Sequence, residues 1–375
     1  MTTQSSQIRT KEIASKKGKV GHLTLNAPKA LNSLSLEMIQ NAFQQLSRWA
    51  EDDAIACILM DGAGDKGFCA GGDVQMLYQS AIDNPGGPCD YAEQFFVEEY
   101  QLDYLIHSYP KPIICIGSGI VMGGGLGLMQ GASHRVVSES SRIAMPEVTI
   151  GLFPDVGATR FLNDLPQGLG LFFALTGASI NASDAMSLGL ADHYVESSNI
   201  GDIVQQLEKV SWTKDIKKNK ERVTSLLADF AVSEDKRNND VPSELANCRD
   251  EIEDACRSGA LGDVIHALDS IDTDSGWLKK SIKTLHHGSP LSALLIFEQL
   301  RRHRYVTQKA AFEADLVLAT NCVRYPEFAE GVRALLIDKD RKPKWAFKHF
   351  SHVPASVMES FFTPPWEQNP LSTRL

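Results

Sequence analysis

The chain has 375 residues, 43% of them apolar, enough to bury a large core and to exclude disorder over the whole length. Lys and Arg number 37 against 47 Asp and Glu, a net charge of −10, so the basic footprint that nucleic acid requires is missing, although a local patch for an anionic small molecule is not excluded. No apolar run reaches transmembrane length, and no membrane partner is expected.

Residues 1–18 are rich in Ser, Thr and Lys, carry Glu12 as their one acid and lack an apolar h-region. They are not a secretory signal; their composition faintly resembles an organelle-targeting segment, and the preferred reading is a disordered lead-in. Val20–Leu25, "VGHLTL", predicts a first strand, and "NAPKALNS" a loop. Ser35 is placed to cap a helix from Leu36 to about Ala50, with Glu37 in its first turn and Met38, Ile39, Ala42, Leu46 and Trp49 on one face. Ala54–Met60 reads as a buried strand, followed by "GFCAGGD" and a helix from Val74. "PGGP" at Pro85–Pro88 breaks the chain before a helix over Tyr91–His107. Pro112–Ile120 predicts another buried strand, followed by "MGGGLGLMQ" and "HRVVSE". Strand, Gly-rich turn and helix thus recur, the pattern of an α/β domain with crossover connections. Beyond about Leu169 the pattern turns helical: a basic helix within Trp212–Phe230, a polar loop at "VSEDKRNNDVPSE", then helices from Leu245 to about Val323. The expected division is a core over 19–208 and a mostly helical region over 209–375.

The seven cysteines, Cys57, Cys69, Cys89, Cys115, Cys248, Cys256 and Cys322, are odd in number and irregularly spaced. With no short CxxC spacing they predict free thiols in a reducing compartment, here taken as the cytoplasm, and no metal site. No His stands in a motif with a matching acid, so a Ser-His-Asp triad has no support.

Two glycine clusters, Ala70-Gly71-Gly72-Asp73 and Met122-Gly123-Gly124-Gly125-Leu126-Gly127, each follow a predicted strand and precede a helix. Such junctions leave backbone N–H groups without intrahelical partners, and glycine admits a ligand close to them. One amide from each cluster could stabilise a single oxyanion; tight turns are the alternative reading. In "AMPEVTIGLFPDVGATR", Glu147 and Asp155 stand among apolar residues. Burial would raise the pKa of Glu147 and make it a better base near neutrality, whereas "PDVG" is also an ordinary turn sequence.

Five segments in order, "KALNSLSLEM", "GFCAGGDV", "GIVMGGGLGL", "AMPEVTIGLFPDVGATR" and "NASDAMSLGLAD", together resemble the crotonase (enoyl-CoA hydratase/isomerase) superfamily from about Lys19 to Glu208. "IGLFPDVG", "FFVEEY" and the C-terminal "FAEGVRALLIDKDRKPKW" further resemble its thioester-hydrolase branch and extend the likeness over most of the chain. The resemblance implies an α/β, ClpP/crotonase-like spiral of ββα units with a helical C-terminal region. The implied substrate is a short β-hydroxyacyl-CoA, cleaved by hydrolysis; no cofactor is implied, because CoA enters as part of the substrate. By motif, the oxyanion donors would be the amides of Gly72 and Gly124, the catalytic carboxylate Glu147, the substrate-orienting acid Asp155, and a further substrate contact Glu99. Lys29, Ala30 and Leu31 would hold the CoA nucleotide. Relatives often trimerise, so a homo-oligomer is left open. Hydratases carry a second Glu four residues after their first GGG glycine, where this chain has Gly127. Hydration of a double bond needs one group to activate water and another to deliver a proton, so half of that apparatus is missing. A hydratase or isomerase, or a non-catalytic CoA-binding protein, remain the alternatives.

Overall fold

The computed structural model describes residues 7–375. They divide into two compact units, each assembled from three stretches of chain. One takes the chain up to Gly72, Leu102–Ile143 and Ile180–Ser243; the other takes Asp73–Gln101, Ala144–Ser179 and Glu244–Leu375. This interleaving replaces a single cut after residue 208, because strands that neighbour one another in the first unit come from before and after each helical excursion.

Nine strands occur among the described residues: β1 (Ile8–Ala14), β2 (Lys19–Leu25), β3 (Ile55–Gly62), β4 (Gly67–Cys69), β5 (Ile113–Gly117), β6 (Ile120–Met122), β7 (His134–Val137), β8 (Arg142–Ala144) and β9 (His193–Tyr194). The larger sheet has the order β1-β2-β3-β5-β7-β9, antiparallel between β1 and β2 and parallel thereafter. Interior parallel strands are covered on both faces, which is why β3 and β5 read as continuous apolar runs. On one face Cys57, Leu59, Ile114, Ile116 and Val136 pack with Leu207, Trp212, Val223 and Leu227, from the helices Ile200–Leu207 and Ile216–Ala228 and the turn joining them. The helix Leu36–Glu51 starts as expected, with the Ser35 hydroxyl accepting from the Met38 N–H.

Three expectations are corrected. Residues 8–14, read as part of a disordered lead-in, form the edge strand β1; only Ile8 and Ile13 are buried there, so the apolar signal is thin. Residues 1–6 of that lead-in lie outside the described residues. Pro112–Ile120 is not one strand: the chain turns at Gly119 (φ +64), where a Cβ would lie 2.4 Å from the Lys66 carbonyl oxygen, and β5 and β6 enter different sheets. The polar stretch "VSEDKRNNDVPSE" contains the helix Glu234–Asp240, started by the Ser233 hydroxyl and two first-turn acids.

The second unit is helical. Its core helices are Val74–Asp83, Leu169–Thr176, Gly276–His287, Pro290–Arg302, Gln308–Arg324 and Pro326–Val332. No described helix is long and apolar enough to cross a membrane.

Candidate active site

In the first unit β4 and β6 run parallel, with Cys69 opposite Val121. Parallel neighbours end on the same edge, so the turns Ala70–Gly72 and Gly123–Gly124 leave the sheet side by side. A Cβ built on Gly71 would lie 3.5 Å from the Gly124 nitrogen, and one on Gly125 would lie 2.4 Å from the Cys69 carbonyl oxygen. Gly71 (φ +98) and Gly123 (φ +51) hold left-handed conformations that favour glycine. The helix Gly124–Gly131 begins at the second turn, where the Leu126 and Gly127 N–H groups donate to the Gly123 carbonyl. The Gly124 amide is a first-turn donor with no intrahelical acceptor. The two expected turns are thus brought into contact, the arrangement that a shared oxyanion requires.

The loop carrying Lys29, Ala30 and Leu31 is tied to the first of these turns. The Ala70 N–H donates to the Leu31 carbonyl at 3.1 Å, and the Leu34 N–H to the Gly71 carbonyl at 2.8 Å. Asn32, fully buried at φ +55, accepts from the Ala27 N–H and donates to the carbonyls of Ala63 and Gly67. A cavity of about 200 Å³ beside the loop is lined in part by Lys29, Leu31, Asp65 and Lys66, so two ammonium groups border it.

The acids lie in the second unit. Glu147 opens the 3-10 turn Glu147–Ile150, and only 5% of its surface is exposed. Its Oε2 has no hydrogen-bond partner among the described residues. Burial, and then the charge of Asp155, push its pKa well above the ordinary carboxylate value, against a smaller stabilisation by its own backbone N–H. The turn is packed from several sides. The Ser289 N–H donates to the Val148 carbonyl at 3.0 Å. A Cβ on Gly151 would lie 2.5 Å from the Glu327 carbonyl oxygen, and one on Gly331 2.4 Å from the Ile150 carbonyl carbon. The C-terminal motif noted in the sequence therefore backs the turn that carries Glu147.

Asp155 is 5% exposed and accepts the Tyr100 hydroxyl at 2.5 Å. Burial raises its pKa, while the Tyr100 hydroxyl and a backbone N–H hold it down. The next two residues, Val156 (φ +53) and Gly157 (φ +78), are left-handed. Glu99 lies beside Tyr100 on the helix Asp90–His107 and is 3% exposed, so it is no solvated surface acid. Behind Asp155, Asp315 is completely buried; burial, then the charge of Asp155, push its pKa up to about 8 against three donors.

Glu147, Asp155 and Glu99 thus share one buried region of a single unit, and Gly72, Gly124 and the Lys29–Leu31 loop share another unit. Sequence reasoning missed Tyr100 and Asp315. The signal for Tyr100 was its place in "FFVEEY"; that for Asp315 was an acid inside the apolar run of "AAFEADLVLATNCV". All seven cysteines are buried and none forms a disulfide. Among the described residues no group of three His, Cys, Asp or Glu side chains is placed to hold a metal ion.

A family model described as enoyl-CoA hydratase/isomerase matches residues 20–362. The chain is 37% identical to a protein of Xenopus tropicalis named 3-hydroxyisobutyryl-CoA hydrolase, mitochondrial, over 94% of this chain and 88% of that one. A human protein of the same name is 35% identical over 92% of this chain and 87% of its own. Among solved structures, a carnitinyl-CoA dehydratase from Mycobacterium thermoresistibile superposes with a TM-score of 0.83 at 32% identity, covering 96% of this chain and 97% of that one. That likeness bears out the expected crotonase-like α/β fold. The expected cytoplasmic location is corrected by the relatives' names, since both are mitochondrial proteins. Buried free thiols fit any reducing compartment and do not single out the cytoplasm.

Proposed function

Because the chain belongs to the enoyl-CoA hydratase/isomerase family, we propose that it is a thioester hydrolase that converts 3-hydroxyisobutyryl-CoA to 3-hydroxyisobutyrate and free CoA, a step of valine breakdown. The observation that carries the reading is the buried pair Glu147 and Asp155, set against Gly127 where a hydratase would need its second acid. In this reading the amides of Gly72 and Gly124 take the thioester oxygen as it gains charge. Each such donor contributes about 3 kcal/mol to the transition state. Glu147, made more basic by burial, acts on the carbonyl carbon in one of two ways. Its carboxylate attacks directly, expelling the CoA thiolate and leaving a mixed anhydride that water cleaves; or it takes a proton from water as that water attacks. Asp155, aimed by Tyr100, orients the β-hydroxyl and passes a proton toward the departing thiolate. Glu99 contacts the acyl group, and the loop at Lys29, Ala30 and Leu31 takes the nucleotide.

A hydratase reading draws support from the name of the solved dehydratase. The two separate in one assay. With 3-hydroxyisobutyryl-CoA and crotonyl-CoA supplied in parallel, the hydrolase reading expects free thiol from the first and no loss of enoyl absorbance from the second. Rapid loss of enoyl absorbance without thiol release would overturn it.

A further inference from the structure

We infer that Asp315 is a positioning residue of the hydrolytic site: it holds the left-handed Val156–Gly157 turn and so fixes the direction of Asp155. The inference rests on the reading of Asp155 as the acid that orients the substrate's β-hydroxyl.

Val156 is β-branched and sits at φ +53, a conformation that such residues rarely adopt and that persists only where surrounding contacts enforce it. The enforcing contacts come from two helices of the same unit. The Gly157 N–H donates to Asp315 Oδ2 at 2.9 Å. The Thr159 hydroxyl donates to Asp315 Oδ1 at 3.1 Å, and Gln299 Nε2 donates to the same oxygen at 2.7 Å and to Thr159 Oγ1 at 3.1 Å. Asp315, Thr159 and Gln299 are all 2% exposed or less, so no water competes for these bonds. From the opposite side Asp155 is fixed by the Tyr100 hydroxyl, and its carbonyl accepts the Ala158 N–H at 2.8 Å.

The position of Asp315 is costly without such a task. Apart from Thr320, the other residues that the helix Gln308–Arg324 buries are apolar, Phe312, Leu316 and Leu318 among them, and an apolar residue at 315 would serve that packing as well as a buried carboxylate does. All three donors to Asp315 lead to the turn after Asp155 or to Thr159, which extends it. None of these bonds closes the helix on which Asp315 stands. Its side chain therefore acts on the direction in which Asp155 points.

The test uses thiol release from two esters, 3-hydroxyisobutyryl-CoA and isobutyryl-CoA, which differ by the β-hydroxyl. The preference is the ratio of their kcat/KM values, measured for the native chain and for Asp155→Asn, Asp315→Asn, Thr159→Val and Thr159→Ser. Asp155→Asn is expected to abolish the preference. Asp315→Asn and Thr159→Val are expected to lower it by about tenfold or more while the Kd for CoA alone stays within about threefold. Thr159→Ser, which keeps the hydroxyl, is expected to restore it. If Asp315→Asn does not fold, the contrast between Thr159→Val and Thr159→Ser decides. A loss of melting temperature with the preference intact in Asp315→Asn and Thr159→Val, while Asp155→Asn abolishes it, overturns the inference alone. An intact preference in Asp155→Asn removes the reading of Asp155, and the inference with it.

Discussion

Gly125→Ala perturbs the contact between the two glycine turns without touching a proposed catalytic atom. The new Cβ would lie 2.4 Å from the Cys69 carbonyl oxygen and 2.7 Å from Cys69 Cβ, whereas real Cβ atoms essentially never approach within 3.0 Å, so the backbones must part by at least 0.6 Å. The obstacle is backbone and cannot rotate away. Overpacking of this kind costs about 1–3 kcal/mol of stability. A misplacement approaching 1 Å at the reacting centre costs up to about 100-fold in rate. We therefore predict a fall in kcat of about 10- to 100-fold, or about 1.4–2.7 kcal/mol of barrier. KM should change by less than about threefold, because the lost interaction is made only in the transition state. The assay is free-thiol release from 3-hydroxyisobutyryl-CoA, with circular dichroism to confirm folding. Gly201→Ala is the control: nothing lies within 4 Å of its Cβ on the helix Ile200–Leu207. It should leave kcat unchanged and add up to about 1 kcal/mol of stability. A folded Gly125→Ala protein with kcat within threefold of the native value would refute the two-amide geometry.

Further consequences concern the buried acids. Glu147→Gln should raise the melting temperature at pH 8, because a carboxylate whose pKa is raised by folding destabilises the fold once pH exceeds its unfolded value; an unchanged or lower melting temperature would contradict the burial argument. Glu327, pushed up to about 7 by burial from 4.5, carries the same sign. Its contribution is neutral below about pH 4.5 and becomes a growing cost up to pH 7, with a ceiling of about 3.5 kcal/mol at about 1.4 kcal/mol per pK. Glu327→Gln should therefore be stabilising at pH 8 and not at pH 4, read from melting curves at both values; an equal shift at both would refute it. Asn32→Ala removes the anchor of the Lys29–Leu31 loop, with bonds to Ala27, Ala63 and Gly67. It should weaken CoA binding by calorimetry about tenfold, given about 1–3 kcal/mol for leaving buried partners unpaired; unchanged binding would separate the loop from the nucleotide.

The parts legible in the sequence were those that local pattern records. The helix at Leu36 was marked by its cap and apolar stripe, and β3 by a run that only double-faced burial explains. The glycine clusters signalled backbone that needs close approach, and the structure puts them in contact. β1 was invisible because an edge strand with five exposed residues has no alternation to detect. The helix Glu234–Asp240 buries nothing, so it has no apolar stripe and only its Ser233 cap and first-turn acids mark it. Tyr100 and Asp315 act through partners far along the chain, Asp155 for one and Gly157, Thr159 and Gln299 for the other. Periodicity reports which face of a helix is buried, not which remote donor meets it there.

The most direct measurement is the steady-state rate of free CoA release from 3-hydroxyisobutyryl-CoA by the native chain and by Glu147→Gln. The account predicts measurable turnover for the native chain and a loss of at least about 100-fold for the variant, the usual weight of a placed acid or base. A folded variant that retains more than a third of the native rate would contradict it.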